Sequence, residues 1–319
     1  MSGFGTAVLA ADYNSIQAKI AGILGVGSGQ SGYGQTVLSS QVTTGNTITG
    51  IATTSQWAYL REDLRKARRH QTGNDTEGNA LYDPVTDADK IIRQTHFSTF
   101  NSFADTVITN KFTCAANKGS LENVLTPAVR SSAWNGTLTN TVTINFPGAT
   151  TADKANNARY FFNAGGNFQI FGNFVPSGDT TVDRKNDIWK KLITNAGRAT
   201  FNYTQTVSDG PPGASLSTYN IGWYNLTTTN QLILNKQAES LTYSANRLQI
   251  YARRDANSTQ CIFEIQFQDL DTGSGSTTPP STPIDENVTG TLTSTCQMFR
   301  PSGVGEVTIT APTATQAGF

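Results

Sequence analysis

The hydrophobic period of this chain changes at about residue 125. Before that point apolar residues recur at helical spacing. After it they alternate, as in Val142, Ile144 and Phe146, set among Thr and Asn up to Pro147-Gly148. A chain with such a switch has helix stripes to bury in one part and sheet faces in the other. The expectation is an α+β protein, with a mainly helical N-terminal docking region over residues 1–124. A β-sandwich-like antiparallel domain with one inserted helix and a C-terminal arm then fills residues 125–319.

Three helices are expected in the first part. Asp12 stands in N-cap position before Tyr13, Ile16, Ile20, Ile23 and Leu24, and Gly25 follows where a left-handed C-terminal residue belongs. The next helix starts from Ser55 as N-cap, carries Trp57, Leu60, Leu64 and Ala67 on one face, and stops before Gly73. Its acidic residues come early and its basic residues late, which suits the helix dipole. Arg65, Lys66, Arg68, Arg69 and His70 form a charge run that reads either as a solvated helix end or as contact with an acidic patch of a partner. A third helix over about 86 to 110, started by Thr86 or Asp87, carries Ile91, Ile92, Phe100, Phe103, Val107 and Ile108, with His96 packed beside the stripe.

Strand-like runs dominate the second part. Arg159 to Phe171 reads as a hairpin or a strand with a glycine bulge, because Asn163-Ala164-Gly165-Gly166 splits two apolar runs with residues that tolerate positive φ. Asp183 is expected to cap the inserted helix, which carries Ile188, Trp189, Leu192 and Ile193 and closes at Gly197. Strands are expected again over Phe201 to Val207, Tyr219 to Tyr224, Gln231 to Leu234, Arg247 to Tyr251, Cys261 to Phe267, Val288 to Cys296 and Val304 to Thr310, with a loop over Asp271 to Pro283. The end, Ala311 to Phe319, reads as an uncharged arm that orders on a neighbour.

Little in the sequence points to chemistry. Gly27, Gly29 and Gly32 form a formal G-x-G-x-x-G, but it follows a helix and leads into an extended run, the reverse of the dinucleotide-binding context, and reads as a loop. The chain has 3 cysteines, Cys114, Cys261 and Cys296, and 2 histidines, His70 and His96, without metal-ligand spacing; the thiols read as buried and free. Asp269, Asp271, Asp285 and Glu286 suggest an oxygen cage, yet depart from the calcium-loop pattern and read as an acidic turn. No nucleophile motif is present, so no catalytic residue, metal or cofactor is expected. Charged residues make up 14% and the formal net charge is +0, which argues against nucleic acid and removes a barrier to self-association. No leader or membrane-spanning run is expected. Trp134, Trp223 and Tyr224 are candidates for stacking on sugar rings.

Several stretches carry a resemblance. They are Tyr13 to Gln17 with Gly32 to Gln35, the helix Gln56 to Gly73, Ala158 to Gly166, Ile221 to Thr228, and Asp285 to Leu292. Together they resemble virion structural proteins of tailed phages, especially myoviruses of cyanobacteria. The resemblance implies a particle component, assembled in the host cytoplasm, without fixing its part of the particle. A neutral β part behind a helical N-terminal part leads to the expectation of a virion protein of the tail, at the baseplate or a fibre attachment. Its partners would be other virion proteins and itself, as a trimer or another symmetric oligomer. Alternatives are a neck or capsid-surface component, a receptor module holding host surface glycan on Trp134 or Trp223, and, third, an enzymatic depolymerase. Expected assembly contacts are Arg65, Arg68, Arg69, Trp223 and Phe319.

Overall fold

A computed structural model describes residues 10–43, 52–87, 91–178, 180–182, 184–211, 215–271, 285–303 and 305–319. Its helices are α1 (Ala10–Leu24), α2 (Thr54–Thr72), α3 (Gln94–Thr109), α4 (Thr151–Asn163) and α5 (Lys185–Ala196). The strands are β1 (Gly119–Asn123), β2 (Ala128–Arg130), β3 (Gly136–Asn145), β4 (Asn167–Pro176), β5 (Ala199–Phe201) and β6 (Thr206–Ser208). They continue with β7 (Leu216–Thr218), β8 (Gln231–Gln237), β9 (Arg247–Arg254), β10 (Gln260–Asp269), β11 (Gly290–Pro301) and β12 (Thr313–Ala317). The α+β class with a helical N-terminal part holds. The chain forms two compact units, one of Met1–Ser120, Arg159–Gly166 and Arg300–Thr310, the other of Leu121–Ala158, Asn167–Phe299 and Ala311–Phe319. No pattern in the sequence announces that two short later segments belong to the first unit.

In the first unit α1, α2 and α3 bury one continuous aromatic seam. Tyr13 meets the edge of Trp57 with ring centroids 5.2 Å apart, and Trp57 meets Phe100 at 5.2 Å. Capping at α2 differs from the expectation by two residues. Thr53, not Ser55, is the N-cap: its hydroxyl accepts from Gln56 N at 3.2 Å, while Gln56 Oε1 accepts from Thr53 N at 2.8 Å. At the other end Gly73 closes the helix at φ 74. Asp12 lies inside the first turn of α1 rather than before it. Gly25 still donates to Ala21 O at 3.0 Å, and the first left-handed residue is Gly27 at φ 47. α3 begins at Gln94 after Arg93, whose N donates to His96 Nδ1 at 3.3 Å, and residues 83–87 form a turn of their own in which Asp83 N donates to Asp87 Oδ2 at 3.1 Å.

The second unit holds two antiparallel sheets. One runs β1-β11-β4-β5-β6 with β2 also on β11; the other runs β12-β3-β10-β9-β8-β7. Between their inner faces lies an aromatic layer. Phe263 of β10 meets Phe168 of β4 at 5.7 Å and Phe201 of β5 at 5.3 Å. From α5, Trp189 packs edge-on against Trp134 at 4.7 Å. Gly172 of β4 leaves the room that Ile193 of α5 and Phe267 need, since a Cβ there would sit 3.2 Å from both. Asp183, expected to cap α5, lies outside the described residues, as do most of the Asp271 to Pro283 loop and Val304.

Three expectations are corrected. Arg159 to Phe171 is not a hairpin: α4 runs to Asn163, Gly165 turns the chain at φ 87, and β4 starts at Asn167. The helix is set by a capping pair upstream, where Asp153 N donates to Thr150 Oγ1 at 3.1 Å and Asp153 Oδ2 accepts from Thr150 N at 3.0 Å. Trp223 and Tyr224 sit in a 3-10 turn, Trp223–Asn225, instead of a strand. Thr313 to Ala317 is no free arm, because β12 pairs with β3 of its own chain from Thr313↔Asn145 to Ala317↔Thr141. Phe319 then rests edge-on against Phe267 at 5.7 Å.

Candidate functional site

The glycine-rich loop after α1 is a cradle, and its chemistry follows from which backbone groups face inward. Tyr33, Gly34 and Gln35 donate back to Ile23, Gly25 and Leu24 carbonyls, each at 2.9 Å, so the loop folds over the helix end it follows. The guanidinium of Arg159 lies in the loop, donating from Nη2 to Val26 O at 2.7 Å and from Nη1 to Ser31 O. A phosphate-binding loop presents N–H groups; this one presents carbonyl oxygens to a cation. Gly34, at φ 67, allows the Tyr160 ring to lie where a Cβ would be 2.4 Å from Cδ2. The loop, Arg159 and Tyr160 thus meet in one structural cluster.

Beyond that loop the backbone of residues 38–42 is held by side chains. Asn14 accepts from Val42 N at 2.7 Å and donates to Val42 O at 2.8 Å. Gln17 donates to Ser39 O at 3.1 Å. Buried Asp63 accepts from Leu38 N at 3.0 Å, from Ser39 N at 2.8 Å and from Ser39 Oγ at 2.6 Å. Asp63 is therefore a clamp in the core, not a dipole-balancing surface charge.

One thiol lies against an imidazole, a pairing that the sequence separates by 44 positions. Cys114 Sγ is 3.7 Å from His70 Nδ1, and His70 Nε2 is 2.8 Å from Ala164 O. The carbonyl requires Nε2 to carry the hydrogen, so Nδ1 accepts from the thiol. His70 is fully buried, which corrects its reading as part of a solvated basic run. Burial pulls its pKa down from 6.5 to about 4, against the Ala164 hydrogen bond, with Lys118 pulling the same way. For Cys114, burial first and then the Glu306 carboxylate push the thiol up to about 12. A nucleophilic cysteine needs the opposite shifts, a low thiol pKa beside an imidazolium. This pair is held neutral and acts as packing. Cys261 and Cys296 are also free and buried, and burial raises both thiols.

Where the acidic turn suggests a cation cage, the chain supplies the cation itself. Lys185 Nζ donates to Asp269 Oδ2 at 2.9 Å, to Asp271 O at 2.8 Å and to Glu286 O at 2.9 Å, with both charged side chains at 0% exposure. Arg184 binds Asp285 through Nε at 2.9 Å and through Nη2. Among the described residues no group of three His, Cys, Asp or Glu side chains is arranged to hold a metal ion.

The residues expected at an assembly contact divide between the units, Arg65, Arg68 and Arg69 in the first and Trp223 and Phe319 in the second. Arg65 donates to Glu62 at 3.2 Å and to Asn79 at 2.7 Å; Arg68 lies 3.7 Å from Glu77; Arg69 bonds Glu62 at 2.6 Å and lies 3.6 Å from Glu306. Their charges are met inside the chain. Trp223 is buried against Phe146 at 5.8 Å, and Trp134 is buried against Trp189, so neither ring offers a platform for sugars. Tyr224 keeps an exposed face while stacking on Tyr203. His96 stacks on Tyr82 at 4.0 Å beside an open cleft lined by Arg61, Asp83, Asp87 and Thr99.

The outward face of the second sheet of the second unit is mostly uncharged, with three charged side chains among neutral ones. On the outer side of β3, β10, β9 and β8 stand Thr137, Thr139, Thr141 and Thr143, then Glu264, Gln266 and Gln268, then Arg247, Gln249, Tyr251 and Arg253, then Asn235. Gln268 donates to Gln249 at 3.0 Å, Gln249 to Asn235 at 2.9 Å, and Tyr251 OH to Gln249 at 2.9 Å. The apolar positions carry the alternation that marks these strands, so the opposite face leaves no signal of its own in the sequence. Comparison with protein-family models, with curated proteins and with solved structures found no match to this chain.

Proposed function

We propose that this chain is a non-enzymatic structural component of a tailed-phage particle. In this reading it belongs to the tail, at the baseplate or a fibre attachment, and works through protein contacts with other virion proteins and with copies of itself in a symmetric assembly. The observation that carries the reading is how the chain spends its polar groups. Its buried charges and its one thiol–imidazole pair hold backbone or each other. The broad outer face of a six-stranded sheet carries mostly hydroxyls and carboxamides, with Glu264, Arg247 and Arg253 among them. Contacts over such a face desolvate few charges, which suits permanent lateral packing more than turnover. The resemblance of the Gly32 to Gln35, Gln56 to Gly73 and Ala158 to Gly166 stretches supports the same reading. Antibodies raised against the purified chain test it: gold label is expected on the tail of intact particles, at its distal end or fibre bases. Label on the neck or capsid surface would favour that alternative, and unlabelled particles that contain none of the protein would refute a virion role.

A further inference from the structure

Water reaches the lysine–carboxylate pairs of this chain to very different extents. In Lys19–Asp105, Lys118–Asp75, Lys191–Asp187 and Lys236–Glu239 at least one partner is well exposed. Lys185 and Asp269 differ. The first residue of α5 and the last residue of β10 meet at 2.9 Å with both side chains at 0% exposure. Lys185 reaches only Oδ2 of this carboxyl; Oδ1 has no partner at hydrogen-bond distance, and neither has Nδ2 of Asn246. Asn246 is fixed beside Asp269, because its Oδ1 accepts from Leu270 N at 2.9 Å and from Asp271 N at 3.2 Å. The Tyr243 ring lies 5.6 Å from Lys185 Nζ, and Arg184 engages Asp285 in a pair of its own. An ion pair so far from water is costly in its charged form. Burial accordingly holds the Asp269 carboxyl above the usual carboxylate range, against the pull of Lys185.

We propose that Lys185 and Asp269 condense into an intramolecular isopeptide bond between Nζ and Cγ, a covalent tie from α5 to β10. Cγ stands one bond beyond the oxygen that Nζ already touches, so the packed fold holds the two groups in place for the reaction. Transfer of a proton from Nζ to the carboxylate turns the ion pair into an amine and a carboxylic acid. The nitrogen lone pair adds to Cγ, and Asn246 Nδ2 is the donor available to the oxygen that takes up the charge. A second proton passes from nitrogen to the departing hydroxyl, the C–O bond breaks, and one water leaves. Ammonium and carboxylate thus become amide and water, with no oxidant, cofactor or other reactant. The N–H that remains keeps an acceptor in Asp271 O or Glu286 O, which Lys185 already bonds at 2.8 Å and 2.9 Å. Since β10 belongs to one sheet and Ile193 of α5 packs at Gly172 of β4 in the other, the bond locks two layers of the second unit together. The inference does not depend on the particle reading, because the bond forms within one chain whatever its partners are.

Mass spectrometry of the purified full-length protein, unfolded and reduced, tests it. The wild type should be lighter than its sequence by one water. Trypsin should leave the bond after Lys185 uncut and yield a branched peptide that joins Lys185 to the segment holding Asp269. Lys185→Met and Asp269→Ala should each show the full mass of their own sequences. The wild-type measurement is made on the unfolded chain and needs neither variant to fold. A wild type of full mass that trypsin cuts after Lys185 overturns the inference. So does a missing water found on a peptide without Lys185, as ring closure at Asp209-Gly210 would give, or one still missing in Lys185→Met.

Discussion

At the scale of single residues, the chain uses reactive side chains as struts. His70 is the sharpest case, because its neutral state is a condition of the packing around Cys114 and Ala164. Its pKa falls from 6.5 in the open chain to about 4 in the fold through burial. The unfolded state therefore binds the proton first as pH drops, and the fold loses stability below about pH 6.5, by a total on the order of 3 kcal/mol near pH 4. Above that range His70 contributes no slope. Urea midpoints for the wild type should decline between about pH 6.5 and pH 5, where most carboxylates are still ionised, and His70→Gln should remove that decline. Gly34 offers a second residue-scale test. Gly34→Ala must displace the Tyr160 ring from 2.4 Å and hold φ near 67, whereas Gly29→Ala, at φ 56 with open space, meets only the backbone cost. Thermal melts should show Gly34→Ala less stable than Gly29→Ala by about 1–3 kcal/mol.

At the scale of elements, what could be read from the sequence follows from how local its cause is. Helix α2 and helix α5 were legible because a stripe and a terminal glycine lie within one element, as in Trp57, Leu60 and Leu64 before Gly73. Helix α4 reads as a strand because Tyr160, Phe161 and Phe162 look like strand residues, while the deciding signal, Thr150 with Asp153, stands about two to three turns earlier. The strand β12 was taken for an arm since Thr-Ala-Thr-Gln-Ala has no apolar face of its own; its pairing depends on β3, some 170 residues away in sequence. The Cys114–His70 contact and the Lys185 site were equally out of reach, being made between distant segments. The stretch around Leu38 to Val42 shows the same dependence, for side chains and not a sheet neighbour satisfy its backbone. Asp63→Ala strips three donors of their acceptor. It should cost about 2–4 kcal/mol and raise hydrogen exchange at Leu38 and Ser39 well before that of the α2 amides.

At the scale of the whole molecule, a chain of 34.2 kDa with formal net charge +0 buries the Lys185–Asp269 pair and gives one sheet an outer face of mostly neutral groups. Among the described residues no helix is long and apolar enough to cross a membrane. Association through such a surface has a physical signature. Contacts built on exposed charges weaken as salt shortens the Debye length from about 10 Å at 0.1 M to about 3 Å at 1 M, and contacts built on amides, hydroxyls and strand edges do not. The most direct measurement is the solution mass of the purified full-length protein by light scattering, taken at low and at high salt. The expected result is a defined multiple of the single-chain mass that stays constant across the salt range. A monomer at both concentrations, or an oligomer that dissolves as salt rises, would contradict the view that this chain works by assembling through its uncharged surfaces.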